Sequence, residues 1–150
     1  MDKQEMRSTI IAAKERLGLD WAEIGKGIGM SPVWTTSACL GMNSMPKENA
    51  DALCETLELP EEVSAALQKF PHKHWDKAVP TDPLIYRFYE MINVYGETIK
   101  ELIHEEFGDG IMSAINFSVD LQKKTHESGD RVVVTFDGKF LPYQWTSAQE

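Results

Sequence analysis

The chain has 150 residues, of which 42% are hydrophobic and 26% are charged, and its formal net charge is −9. This length suits one domain or two small ones, and the hydrophobic fraction is too high for a disordered protein. The negative charge argues against a nucleic-acid partner and against an anionic membrane surface, because phosphate contacts need clustered Lys and Arg.

The sequence also bears on cellular location. No apolar run approaches the length of a membrane span, and the charged N-terminus lacks the apolar core of a signal peptide. We therefore expect a cytoplasmic location and no membrane partner. The chain has two cysteines, Cys39 and Cys54, both inside predicted helices. We expect buried free thiols there, since disulfides are rare in that compartment.

Capping residues and prolines predict five short helices in the first 79 residues. Asp20 and Glu23 form a capping box, and Ser31 followed by Pro32 is a typical helix start. The predicted helices are Lys3 to Leu17, Trp21 to Lys26, Pro32 to Gly41, and two that open at Pro46 and Pro60. The apolar residues expected on the buried faces of the last two are Ala50, Leu53, Leu57, Val63 and Leu67.

The segment from Asp20 to Gly41 has the outline of a helix-turn-helix. One candidate function is therefore a transcription regulator whose C-terminal half dimerises and senses an anion. However, Ile28 to Met45 contains no Lys or Arg, and residues 1–79 hold 9 basic against 12 acidic residues. A DNA reader needs side chains for phosphates and base edges. We interpret residues 1–79 as a helical assembly domain with a linker, and residues 80–150 as a second domain.

The linker is predicted from Lys69 to Pro80. It contains His72 and His74, which could suggest a metal site. Lys73 separates them and no third ligand is near in sequence, whereas closed zinc sites use four ligands. We therefore predict a solvated loop and no metal site.

The stretch from Thr81 to Phe117 is the most informative part of the chain. Asp82 and Pro83 start a helix, and Arg87 and Glu90, three residues apart, share one face among aromatic neighbours. Such a pair is usually a solvated ion pair.

Two helices are predicted in this stretch, Pro83 to Val94 and Glu97 to Phe107. The expected buried face of the second helix consists of Ile99, Leu102, Ile103 and Phe107. On the same helix His104 is expected to be a surface or packing residue rather than an acid–base group. The Gly108-Asp109-Gly110 turn that follows would expose N–H groups suited to an anion.

After Ser113 the hydrophobic period changes to two, which predicts a strand around Phe117 to Gln122. A second strand is predicted at Arg131 to Phe136, and Asp137-Gly138 predicts a hairpin turn into a third, Lys139 to Leu141. The polar tail from Gln144 is expected to fray. A ribbon this small leaves open edges, so we expect it to pair with the same ribbon of a second subunit. The predicted fold class is α+β.

The order of these motifs resembles the cyanase (cyanate hydratase) family. The matching residues are Thr-Asp-Pro-Leu-Ile-Tyr-Arg-Phe-Tyr-Glu-Met from Thr81, Val-Tyr-Gly from Val94, Phe-Gly-Asp-Gly-Ile-Met-Ser-Ala-Ile-Asn-Phe from Phe107, Asp137-Gly138-Lys139 and Leu141-Pro142. The resemblance covers the C-terminal half densely and the N-terminal half more loosely.

The resemblance implies a reaction between cyanate and bicarbonate that gives carbamate and carbon dioxide. It places the catalytic residues at Arg87, Glu90 and Ser113, which makes residues 80–150 the catalytic and dimerisation domain. It also implies an intertwined dimer, five of which form a homodecamer, with the active sites between subunits. The reaction joins two anions, so a planar guanidinium and nearby hydroxyl and N–H donors are suitable tools. Glu90 either orients Arg87 or moves a proton. Nothing in this chemistry needs a metal or an organic cofactor. A second alternative is a small-carboxylate-binding protein without catalysis.

Overall fold

The computed structural model describes residues 1–71 and 78–144. The chain divides into two units, Met1–His74 and Trp75–Glu150, which we describe separately. The α+β class is confirmed: within the described ranges there are six helices and one two-stranded antiparallel sheet. The predicted boundary between residues 79 and 80 stays a prediction. The expectations for His72 and His74 and for the tail from 145 to 150 fall outside the described residues.

The five predicted helices of unit 1 are confirmed. Their bounds are α1 Lys3–Leu17, α2 Trp21–Gly27, α3 Pro32–Cys39, α4 Lys47–Thr56 and α5 Glu61–Gln68. The predicted capping box opens α2: the Asp20 side chain accepts the Glu23 N–H at 2.8 Å, and Glu23 accepts the Asp20 N–H at 2.7 Å. Pro46 and Pro60 occupy the N-cap positions, one residue before the helices they were expected to open.

Unit 1 has a closed apolar core. All five residues predicted on the buried faces of α4 and α5 are fully buried. Cys39 and Cys54 are buried free thiols, as expected. Burying a large apolar side chain contributes about 1.5–3 kcal/mol, so this core stabilises the packing of the five short helices. One polar atom in it has no hydrogen-bond partner among the described residues: the hydroxyl of Thr35, a fully buried residue of α3.

A side-chain network links α4 to α5. Asp51 accepts hydrogen bonds from Lys47 Nζ at 2.6 Å and from the hydroxyl of Ser64 at 2.6 Å. Ser64 is itself buried. The hydrogen bond from Lys47, followed by that from Ser64, holds the pKa of the Asp51 carboxyl below its ordinary value.

Unit 2 begins with one long helix, α6, which runs from Pro83 to Phe107. The prediction of two helices separated near Gly96 was therefore wrong. A glycine inside a helix costs only about 1 kcal/mol relative to alanine, which the hydrogen bonds of a 25-residue helix can absorb. None of its residues is buried. The predicted buried face is also wrong for the single chain, since Ile99, Leu102 and Phe107 are exposed.

A single hairpin follows α6. Strand β1 covers Gly110–Lys124 and pairs antiparallel with β2, Arg131–Pro142. The predicted third strand and the turn at Asp137-Gly138 were wrong, because β2 continues straight through them. Within the described ranges no helix has both the length and the hydropathy that crossing a membrane would require.

Candidate functional site

Arg87 and Glu90 lie on the first turns of α6. The helix starts where predicted: Pro83 is its first residue, and the Asp82 side chain accepts the N–H groups of Leu84 and Ile85 at 2.9 Å. Arg87 NH1 is 3.7 Å from Glu90 Oε2, and the two side chains are 66% and 52% exposed. At this separation the ion pair is loose. The guanidinium therefore keeps most of its five N–H donors available.

Arg87 projects into an apolar groove between α6 and β2. The groove has a volume of about 390 Å³. Its lining residues are Leu84, Arg87, Phe88, Met91, Val132, Val134 and Phe136. Arg87 is the only charged residue in this lining. Apolar walls strengthen the attraction between a guanidinium and an anion where water is excluded, whereas in the single chain the Arg87 side chain is 66% exposed and largely solvated.

Ser113 is buried in β1, at 6% exposure. Its Oγ accepts the backbone N–H of Ile115 at 3.1 Å and that of Asn116 at 2.9 Å. A hydroxyl oxygen has two lone pairs, and both are used here. What Ser113 can still offer is its O–H proton, so it is suited to donate a hydrogen bond to an anion.

The Ser113 hydrogen bonds close a bulge in β1. Regular pairing stops at Met112 opposite Phe140 and resumes at Phe117 opposite Gly138. The bulge therefore contains residues 113–116, which face a single residue of β2. This is more than the one extra residue of a common β-bulge. The bulge turns outward, and the Ile115 side chain is 97% exposed.

The structure brings two of the three predicted catalytic residues together. Arg87 and Glu90 form the loose pair on α6, whereas Ser113 lies on β1. Within residues 1–71 and 78–144 no hydrogen bond or ion pair joins Ser113 to Arg87 or Glu90. One chain therefore does not connect the trio, and its catalytic assignment stays a prediction.

A second cavity, of about 480 Å³, lies between the C-terminal half of α6 and the start of β1. His104 is half-buried beside it, with Nε2 3.2 Å from the Gly110 carbonyl oxygen and Nδ1 3.5 Å from Lys100 Nζ. Because a carbonyl only accepts, Nε2 carries the proton and Nδ1 faces Lys100. The prediction that His104 is a surface or packing residue rather than an acid–base group stays a prediction. Lys100 was overlooked, although its spacing of four residues from His104 indicates a shared helix face.

Metal-ligating side chains do not converge anywhere in the described ranges: no cluster of three or more His, Cys, Asp or Glu residues forms there. Of the predicted site residues, Arg87 and Ser113 offer hydrogen-bond donors, whereas Glu90 offers carboxyl oxygens. The N–H groups of Ile115 and Asn116 already donate to Ser113 Oγ. The two donors, Arg87 and Ser113, are chemically suited to small anions.

Two family models cover most of the sequence. Residues 3–71 match the model described as cyanate hydratase, N-terminal, and residues 77–145 match the cyanate lyase C-terminal domain.

Curated proteins and a solved structure match over nearly the full length. A cyanate hydratase from Teredinibacter turnerae is 57% identical over 144 residues, 96% of this chain and 99% of that protein. Another from Pseudomonas putida is 54% identical with the same coverage. The crystal structure of cyanase from T. urticae superposes with a TM-score of 0.83 at 39% identity, covering 93% of this chain and 99% of that one.

Proposed function

The chain belongs to the cyanate hydratase family, and we propose that it is a lyase that decomposes cyanate with bicarbonate as the second substrate. The observation that carries this proposal is Arg87, a guanidinium with free donors in an apolar groove. The chain as a whole has a net charge of −9 and repels anions. A locally positive, apolar-walled groove is what an enzyme of small anions then needs.

The proposed reaction joins two monoanions into a dianion. The dianion loses carbon dioxide and takes up one proton, which gives carbamate. Carbamate takes up a second proton away from the enzyme and decomposes to ammonia and carbon dioxide. The main obstacle is the mutual repulsion of the two anions. A guanidinium that holds both in contact offsets that repulsion, and orientation alone can lower such a barrier by several kcal/mol.

Arg87, Glu90 and Ser113 divide this work. Arg87 forms two parallel hydrogen bonds to the carboxylate-like part of the adduct. Ser113 donates its single remaining hydrogen bond to the negative charge as it develops. Glu90 either fixes the orientation of Arg87 or delivers the proton that carbamate formation requires. The 3.7 Å separation of the pair is compatible with both roles.

We propose no metal and no organic cofactor for this reaction. Every step is an addition, a decarboxylation or a proton transfer between the substrates and the side chains named above. A cytoplasmic location is part of the proposal. Support for it comes from Cys39 and Cys54, which are free and buried, the state expected in a reducing compartment.

The proposal includes assembly, with a dimer formed through the hairpin strands and five dimers forming a homodecamer. Support comes from the amount of apolar surface that a single chain leaves uncovered. No residue of α6 is buried, the hairpin has two strands only, and Ile115 projects almost completely into solvent. Monomeric proteins rarely leave so large an apolar surface open. A neighbouring subunit that covers it would bring its own Arg87 or Ser113 to the site.

The test of the reaction is ammonia release from cyanate, measured with and without bicarbonate. The expected result is ammonia production that depends on bicarbonate and saturates in both substrates. Cyanate hydrolyses slowly by itself, so heat-denatured protein at the same concentration is the control. Ammonia release at the control rate, with a correctly folded oligomer, would reduce the protein to a binder of small anions.

The test of the shared site is complementation between Arg87→Lys and Ser113→Ala subunits. Each impaired protein is dissociated mildly, mixed with the other and reassembled. If sites combine residues from different subunits, some sites receive both intact residues and the rate rises above that of either protein alone. Mixed oligomers whose rate does not rise would show that each chain holds a complete site.

The regulator alternative has no support in the described residues. Helix α3 and its flanks from Ile28 to Met45 have no basic residue, so we expect no duplex binding above background at physiological salt. A salt-sensitive gel shift at nanomolar protein would reverse that conclusion.

A further inference from the structure

Gly138 lies opposite the bulge that carries Ser113. It pairs with Phe117, the first residue after the bulge 113–116. The Asp137-Gly138-Lys139 motif predicted a turn, yet the chain is extended there and belongs to β2. A glycine inside a strand marks a bulge or a close backbone approach. At Gly138 the structure shows a close backbone approach, and the bulge lies on β1, the strand opposite.

The missing side chain of Gly138 leaves the space into which the bulge folds. A Cβ atom at this position would lie 2.5 Å from Met112 Cγ and 2.6 Å from the Ser113 carbonyl oxygen. Atoms that are not bonded prefer separations of about 3.5–4 Å. The Met112 side chain can rotate away, whereas the Ser113 carbonyl is backbone. A side chain at position 138 therefore requires the Ser113 backbone or β2 itself to shift, by up to about 1 Å.

Such a displacement reaches the Ser113 hydroxyl directly. The carbonyl that would be pushed and the Oγ that would donate belong to the same residue. Oγ is in turn held by the N–H groups of Ile115 and Asn116 within the same short bulge. A shift of the Ser113 backbone therefore disturbs these two hydrogen bonds and changes the direction of the remaining O–H donor.

We propose that Gly138 is a positioning residue: by having no side chain, it allows the bulge to hold the Ser113 hydroxyl where it donates to the reacting anion. This inference rests on the donor role given to Ser113 in the proposed function. It explains why a glycine stands in the middle of a strand, where its conformational freedom is otherwise a disadvantage.

The first test is Gly138→Ala in the full-length protein. We expect kcat to fall about 100-fold, the effect typical of a 1 Å misplacement in an active site. The oligomeric state and the thermal unfolding midpoint of unit 1 should be the same as in the wild type. Gly27→Ala is the matched control, because a Cβ there meets only the Thr56 side chain, its hydroxyl at 3.4 Å and its methyl group at 3.7 Å. It should keep the wild-type rate.

The second test separates positioning from a general structural effect. In a Ser113→Ala background, Gly138→Ala should lower kcat by less than about twofold, because residues that act through one another are not additive. Adding Met112→Ala to Gly138→Ala should not restore the rate, since the Ser113 carbonyl contact remains. Hydrogen–deuterium exchange should increase in peptides covering 111–117 and stay unchanged in those covering 119–124.

Each other outcome contradicts a specific part of the argument. Wild-type kcat in Gly138→Ala, with a strongly lowered kcat in Ser113→Ala, would overturn the positioning role and leave the proposed function intact. Wild-type kcat in Ser113→Ala would remove Ser113 from the proposed function itself, and this inference with it. Rescue by Met112→Ala would assign the effect to Met112 packing. Loss of assembly in Gly138→Ala that Met112→Ala does not repair would make Gly138 a folding residue.

Discussion

Arg87→Lys should abolish most of the activity and leave the fold unchanged. The side chain is 66% exposed and its contact with Glu90 measures 3.7 Å. Exposed pairs of this kind contribute about 0–1 kcal/mol, and Arg and Lys have nearly equal helix propensity. The free energy of unfolding should therefore change by less than about 0.5 kcal/mol.

The activity should respond much more strongly. A lysine ammonium keeps the charge but cannot form the second of two parallel hydrogen bonds to a carboxylate. One charge-assisted hydrogen bond contributes about 1.5–3 kcal/mol, which corresponds to a loss of about 10- to 150-fold in kcat/KM. The assay is the initial rate of ammonia release at saturating bicarbonate and varied cyanate.

Arg16→Lys is the matched control, because Arg16 forms an exposed ion pair with Glu58 at 2.8 Å in unit 1. It makes the same chemical change at a similar exposure and should leave the rate unchanged. If Arg87→Lys kept wild-type turnover, or if Arg16→Lys lost as much, Arg87 would not be the residue that clamps the anions.

Three further predictions concern unit 1. The pKa of Asp51 is lowered by folding, so its ionised form stabilises the wild type at neutral pH. The urea midpoint of the wild type should therefore exceed that of Asp51→Asn at neutral pH. The two midpoints should converge as pH falls through and below the ordinary carboxyl pKa of 3.8. Thr35→Val should raise the free energy of unfolding by about 1 kcal/mol, since it removes a buried hydroxyl without a partner; a lower urea midpoint would contradict this. Burial raises the pKa of the Cys39 thiol to about 12, so iodoacetamide at pH 8 should label it only in urea, and native labelling would contradict its burial.

Local signals were enough to predict where the helices begin. Capping boxes and N-terminal prolines act within a few residues, so Asp20 before α2 and Asp82 before α6 were identified correctly. Glycines were misread because a glycine can form a turn, be tolerated inside a helix, or allow a close backbone approach. Gly96 was expected to separate two helices but is tolerated inside one, and Gly138 was expected in a turn but allows a close backbone approach. Only the atoms opposite each glycine distinguish these cases.

In the candidate site, too, the features that depend on neighbouring residues in the sequence were predictable, and those that depend on strand pairing were not. The spacing of Arg87 and Glu90 places them on one helix face, and the structure has them there. The engagement of both Ser113 lone pairs could not be predicted, because it depends on a bulge that only strand pairing creates. The spacing of apolar residues correctly predicted that α6 has an apolar face. Spacing cannot tell whether the residues that cover this face come from the same chain or from another subunit.

The contrast between the two units has a consequence for how the protein reaches its native state. Unit 1 buries a core of its own, so its folding is a first-order process that can finish while the rest of the chain is being synthesised. No residue of helix α6 is fully buried within its chain, so in the proposed assembly the stability of unit 2 increases with subunit concentration by mass action. On dilution, unit 2 should lose protection from proteases first, with unit 1 still folded. The cellular concentration of the chain would then decide how much of it is enzyme and how much is a folded N-terminal half carrying an unprotected C-terminal one.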